Sequence, residues 1–175
     1  IERHSLEILL EIFIKICDAT SYAHSKNVIH LDLKPENIQV GQFGEVLVCD
    51  WGLGKVIGSE EGVDFDQQLF NPDLLNNMTL AGRIKGTPGY MAPEQVEKNG
   101  EKIFATDVYS LGCILYSILT DDKPFSSCSQ NEILDKTLQG LNSPAKAFPD
   151  KEIAQSLNAV VVKAVALKAE DRYEN

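Results

Sequence analysis

His30-Leu31-Asp32-Leu33-Lys34-Pro35-Glu36-Asn37 is the stretch on which the reading of this chain turns, and Asp50-Trp51-Gly52 completes it. An aspartate can accept or orient the proton of an attacking hydroxyl, and a lysine two residues on can reach a developing negative charge. Asn37 and Asp50 offer oxygen, the donor that a hard Mg²⁺ prefers beside phosphate and water. Taken singly, each of these residues is more often a turn former or a helix cap. His, Asp, Lys, Pro and Asn in fixed order within one octet form a far more specific signal.

Between Asn37 and Asp50, Ile38-Gln39-Val40 and Val46-Leu47-Val48-Cys49 flank Gly41-Gln42-Phe43-Gly44, which predicts a hairpin of two short strands. Such a hairpin sets Asn37 and Asp50 at neighbouring strand ends. Upstream, Leu6, Leu9, Leu10, Phe13, Ile16, Cys17 and Tyr22 recur at three- and four-residue spacing, predicting a helix from Leu6 to Ser25 with a buried stripe. Ile8, Ile12 and Ile14 widen the stripe and predict burial on more than one side. Asn27 ends the helix, and Val28-Ile29 run on extended. Downstream, residues 59–77 are polar and aperiodic and read as a long loop. Ala105 to Thr120 and Ile153 to Leu167 read as long helices, and Asn131 to Leu138 as a short amphipathic one. The fold class is mainly α with one small β element.

At 175 residues and 43% hydrophobic, the chain can bury the core of one ordinary domain. A net charge of -10 and a pI of about 4.7 argue against a nucleic-acid or anionic-membrane surface. No apolar run is long enough to span a bilayer and no secretory signal pattern opens the chain, so a soluble, cytoplasmic fragment is expected. Cys17, Cys49, Cys113 and Cys128 form no CxxC pair; the first three sit in apolar segments and read as small packing residues. His24 and His30 have no ligand partner at metal-binding spacing.

Three further stretches bear on the octet: Gly86-Thr87-Pro88-Gly89-Tyr90-Met91-Ala92-Pro93-Glu94, Asp107-Val108-Tyr109-Ser110-Leu111-Gly112 and Leu167-Lys168-Ala169-Glu170-Asp171-Arg172-Tyr173. In order and spacing the whole resembles the protein kinases, and within them the eukaryotic-like (Hanks-type) serine/threonine kinases of bacteria, especially planctomycete-related ones. Lys34-Pro35-Glu36 is the serine/threonine form of the loop. Small-molecule kinases share a His-x-Asp core but lack the Gly-Thr-Pro to Ala-Pro-Glu stretch. The resemblance implies a kinase-like C-terminal lobe, helical, with the hairpin carrying the catalytic loop and the Asp-Trp-Gly segment. It implies ATP and Mg²⁺ as cofactors and a protein as substrate. Asp32 and Lys34 would be catalytic, Lys34, Glu36, Asn37 and Asp50 would bind the cofactor, and Asn37 and Asp50 would hold the metal. His30, Thr87, Glu94, Asp107 and Arg172 would give structural support, with Arg172 pairing to Glu94.

The chain also departs from the family pattern. Leu31 stands where many members carry an arginine that binds a phosphorylated activation-loop residue, which implies that this switch is absent or altered. Trp51 replaces the usual phenylalanine, and the insertion between Asp50 and Thr87 is long and acidic. No glycine-rich phosphate loop, Val-Ala-x-Lys strand or partner glutamate occurs in these residues, so the stretch 1–175 reads as a partial kinase domain without its N-terminal lobe and last helix. Alone it is expected to be inactive, and to self-associate through the face that lobe would cover. The alternative is a pseudokinase or docking module that uses the lobe to bind partners.

Overall fold

The computed structural model describes residues 5–58, 86–97, 99–140 and 152–174. The loop predicted over 59–77 lies outside them. Helix α1 spans Leu6–Ser25, capped by the Ser5 hydroxyl, which accepts the Ile8 N–H at 3.4 Å. Asn27 ends it with a φ of 59°, a left-handed conformation asparagine tolerates better than most residues. Ile16, Thr20 and His24 form the buried line of α1. Ile14 and Tyr22, by contrast, are exposed, at 59% and 68%. Helix α1 packs on the central helix and on the strand segments at 28–29 and 46–48, and Ile8 and Ile14, which widen the stripe, stay exposed.

Strand β1 (Val28–Ile29) pairs antiparallel with β4 (Lys55–Val56), an association that the sequence pattern did not signal. Strands β2 (Ile38–Val40) and β3 (Val46–Val48) form the predicted hairpin in the register Ile38 to Val48, Gln39 to Leu47 and Val40 to Val46. Gly44 turns it with a φ of 82°, and its carbonyl accepts the Lys15 ammonium of α1 at 2.7 Å. A short α2 (Pro93–Val96) precedes the central helix α3 (Phe104–Thr120). The sheltered first half of α3 is buried almost all round, from Ala105 to Ser110. At Gly112 an added Cβ would lie 2.8 Å from both Ala164 and Val165, so glycine is what lets the last helix approach.

Helix α4 (Gln130–Leu138) starts on a capping arrangement in which the Ser129 N–H and hydroxyl both donate to Glu132. Those bonds hold the Glu132 carboxyl below its ordinary range. Helix α5 runs Glu152–Ala164 and stops short of the expected Leu167; past its end the carbonyls of Ala166 and Leu167 accept hydrogen bonds from Arg172. Leu33, Tyr109, Cys113, Leu115 and Val161 form the heart of the core. Cys113 is buried; burial pushes its thiol well above the ordinary range, and that of half-buried Cys17 up to about 11.

Candidate active site

The octet bends at Leu31, which has a φ of 66°, and is extended at Lys34, whose φ of -161° and ψ of 161° are those of a strand. Side chains therefore alternate. Leu33 is fully buried in the core, while Asp32 and Lys34 project together on the other side. Burying a leucine contributes about 1.5–3 kcal/mol, so the residue between Asp32 and Lys34 is the peg that holds them. Lys34 Nζ donates to Asp32 Oδ2 at 2.8 Å and to Thr87 Oγ1 at 2.8 Å. The Thr87 hydroxyl donates in turn to Asp32 Oδ1, also at 2.8 Å. Carboxylate, ammonium and hydroxyl close a ring, with side-chain exposures of 10% for Asp32 and 19% for Lys34.

After Lys34, Pro35–Asn37 make one turn of 3₁₀ helix that brings Asn37 back under Asp32. Asn37 Nδ2 donates to the Asp32 carbonyl at 2.9 Å and lies 3.4 Å from its Oδ2. The Asn37 carbonyl accepts the Cys49 N–H at 2.8 Å, which carries the ladder to the residue before Asp50. Asp50 is exposed and has a φ of 61°, a conformation that costs a residue with a Cβ about 1–2 kcal/mol. Glu36 points elsewhere, to an exposed contact with Lys123 at 3.4 Å.

Beneath the loop, Asp107 is fully buried near the start of α3. Its Oδ2 accepts the His30 N–H at 2.8 Å and its Oδ1 the Leu31 N–H at 2.9 Å. His24 Nε2 meets the same carboxylate at 2.9 Å. His30 Nε2 meets the Cys49 carbonyl at 3.0 Å and its Nδ1 accepts the Asp32 N–H at 3.3 Å, the pattern of a neutral ring protonated at Nε2. The ring also leans on Trp51, whose indole donates to the Val48 carbonyl at 2.9 Å. Both histidines are thus tied to the octet and to Asp107 beneath it.

Glu94 sits on α2, and Arg172 reaches it from the far end of the chain. Arg172 NH1 and NH2 donate to the two carboxylate oxygens at 2.7 and 2.9 Å, a bidentate pair. The remaining guanidinium donors go to the carbonyls of Ala166, Ala105 and Leu167, so all five are used. Thr106 adds its hydroxyl to Glu94 at 2.9 Å.

Four contributors escaped the sequence reading: His24, Gln95, Thr106 and Ser110, whose hydroxyl donates to the Tyr90 carbonyl at 2.8 Å. His24 carried a signal, since a histidine and Thr20 on the buried line of α1 require polar partners inside. The others are short polar side chains beside named residues, and only the fold shows what they face.

A family model described as protein kinase domain matches residues 3–174, and the chain belongs to that family. It is similar to the serine/threonine-protein kinase PknD of Chlamydia abortus, 38% identical over 173 residues, and to that of Protochlamydia amoebophila, 38% over 175 residues, each match covering 98% of this chain. The PknD of Chlamydia pneumoniae is 39% identical over 176 residues, 99% of this chain. These likenesses put it with the bacterial Hanks-type serine/threonine kinases. The chain spans about a fifth of the length of these relatives, 18% in each case. Among the described residues no helix is long and apolar enough to cross a membrane.

Proposed function

We propose that the full-length protein transfers the γ-phosphoryl group of ATP to serine or threonine hydroxyls of a protein in the cytoplasm. In this reading the chain is the catalytic-loop half of the kinase domain, its C-terminal lobe, and is inactive by itself because it carries no glycine-rich phosphate loop. The observation that carries the reading is the closed ring of Asp32, Lys34 and Thr87, with every link at 2.8 Å.

Asp32 is the group that takes the acceptor's proton. The acceptor oxygen bonds to the γ-phosphorus as the bond from that phosphorus to the β-phosphate oxygen breaks, ADP leaves, and the hydroxyl proton passes to the Asp32 carboxylate. Lys34, already beside Asp32, lies where a point charge can follow the phosphoryl oxygens. The donor set fits Mg²⁺: Asn37, with its amide nitrogen committed to Asp32, presents an oxygen, and Asp50 presents an exposed carboxylate. Bound there with ATP, Mg²⁺ would neutralise phosphate charge. Glu36 also belongs to the cofactor-binding set in this reading, although its carboxylate meets exposed Lys123 at 3.4 Å.

The test is Asp32→Asn in the full-length protein, assayed with ATP and myelin basic protein. The turnover is expected to fall by about 10²–10⁴-fold with thermal stability preserved. A variant that transfers phosphate at the wild-type rate would remove Asp32 from this role, and a wild-type protein that transfers none would favour a non-catalytic docking lobe.

A further inference from the structure

Asp32 springs from a backbone whose neighbouring polar atoms are each held by a different side chain. The Leu31 N–H is bound by Asp107 Oδ1, the Asp32 N–H by His30 Nδ1 and the Asp32 carbonyl by Asn37. The Leu31 carbonyl accepts a hydrogen bond from Gln95 Nε2 at 2.7 Å, the shortest of the four. Leu31 has a φ of 66°, a left-handed conformation that a large residue adopts only when its surroundings impose it. The peptide that joins Leu31 to Asp32 is therefore gripped at its oxygen by Gln95 and at its hydrogen by His30. Rotation of that peptide would swing the Asp32 side chain out of the ring it forms with Lys34 and Thr87.

Gln95 is 6% exposed and belongs to the other side of the site. Its Oε1 accepts the Ala92 N–H at 3.0 Å, while the preceding residue, Glu94, is locked by Arg172. Its amide also closes on the turn before Thr87, since a Cβ added at Gly86 would lie 3.5 Å from Gln95 Nε2. One planar amide thus accepts from the 86–94 stretch and donates to the catalytic loop, and no charge or phosphate is involved. We propose that Gln95 is a positioning residue for phosphoryl transfer, coupling the 86–94 stretch to the peptide plane that aims Asp32. This rests on the kinase reading above.

Gln95→Glu separates this role from a merely structural one. Glutamate is a normal partner for the N–H at the start of a helix, so a residue that only capped α2 would tolerate the change. An ionised carboxylate keeps the Ala92 bond but sets an acceptor against the Leu31 carbonyl. In the full-length protein assayed with ATP and myelin basic protein, kcat of the Q95E variant is expected to fall by about 10- to 100-fold with KM for ATP little changed, the scale of a small misplacement of reacting groups. The loss should shrink as pH falls, because a protonated carboxyl regains a donor. Hydrogen exchange over residues 30–33 should quicken while that of α3 holds. A kcat within about twofold of wild type overturns the proposal. Should the wild-type protein transfer no phosphate, the kinase reading fails and exchange decides this one: quickened, the clamp stands; unchanged, it falls. If the Q95E variant does not fold, Gln95→Met, which removes donor and acceptor alike, is judged by the same criteria.

Discussion

Two carboxylates in this molecule are each held by one basic residue and one threonine, yet they are built for opposite ends. Glu94 takes a two-pronged grip from Arg172, whose side chain is completely buried and whose five donors are all spent, and the Thr106 hydroxyl finishes the set. Asp32 takes a single contact from Lys34 and a hydroxyl bond from Thr87; the two carboxylates are about equally covered, 10% exposed for Asp32 and 12% for Glu94, but Lys34 keeps 19% exposure where Arg172 has none. A guanidinium has a rigid fork and little reason to let go; an ammonium is a point charge on a flexible stem. The difference separates a joint from a working site. The joint ties the end of the chain to α2 and α3, so that Thr87 and Gln95 arrive where Asp32 needs them.

Breaking the joint should produce the largest change. Arg172→Met leaves Glu94 mostly buried beside Thr106 with its charge unpaired and frees three backbone carbonyls, and a loss of about 3–5 kcal/mol of unfolding free energy is expected. Urea titration measures it as a lower midpoint at constant slope. A loss below about 1 kcal/mol would mean that the pair behaves like a surface bridge. Lys34→Met should do the reverse: kcat falls about 100-fold, equivalent to about 2.7 kcal/mol in the barrier, while the unfolding midpoint barely moves. Equal damage to stability from both substitutions would erase the distinction between joint and site.

Much of this was legible in the residues themselves. Periodicity marked α1, apolar content and length marked α3, and the glycine turn marked the hairpin, because in each case local pattern and tertiary partner agree. The octet marked a cluster that the fold does bring together, because Asp32, Lys34 and Asn37 lie within six positions and are joined by one short stretch and one 3₁₀ turn. What stayed hidden is non-local. Nothing near Val28 indicates that it pairs with Val56, nor does anything near Gln95 name the Leu31 carbonyl as its partner across 64 positions. The end of α5 was misplaced in a stretch whose partner is also unannounced locally: just past Ala164, the carbonyls of Ala166 and Leu167 belong to Arg172. The breadth of the α1 stripe misled because an apolar surface declares its desire for burial and not which face is covered.

The threonines give the finest discrimination between the two arrangements. Thr106 both donates to Glu94 and accepts the Ile103 N–H at 3.1 Å, so Thr106→Val removes two bonds at a fully buried position and should cost about 1–2 kcal/mol of stability. Phosphoryl transfer per folded molecule should stay within about twofold of wild type, since Thr106 touches the joint and not Asp32. Thr87→Val removes one donor from Asp32 and one acceptor from Lys34 in a half-open setting, where water can replace both. Stability should hardly change, whereas kcat should fall about tenfold as Asp32 and Lys34 lose the hydroxyl that spaces them. Unfolding and turnover measured side by side on the two variants give a crossed pattern if the joint and the site are separate. If Thr106→Val lowers kcat as much as Thr87→Val does, the Glu94 joint reaches the chemistry directly, and α2 has to be counted with the catalytic loop as one unit.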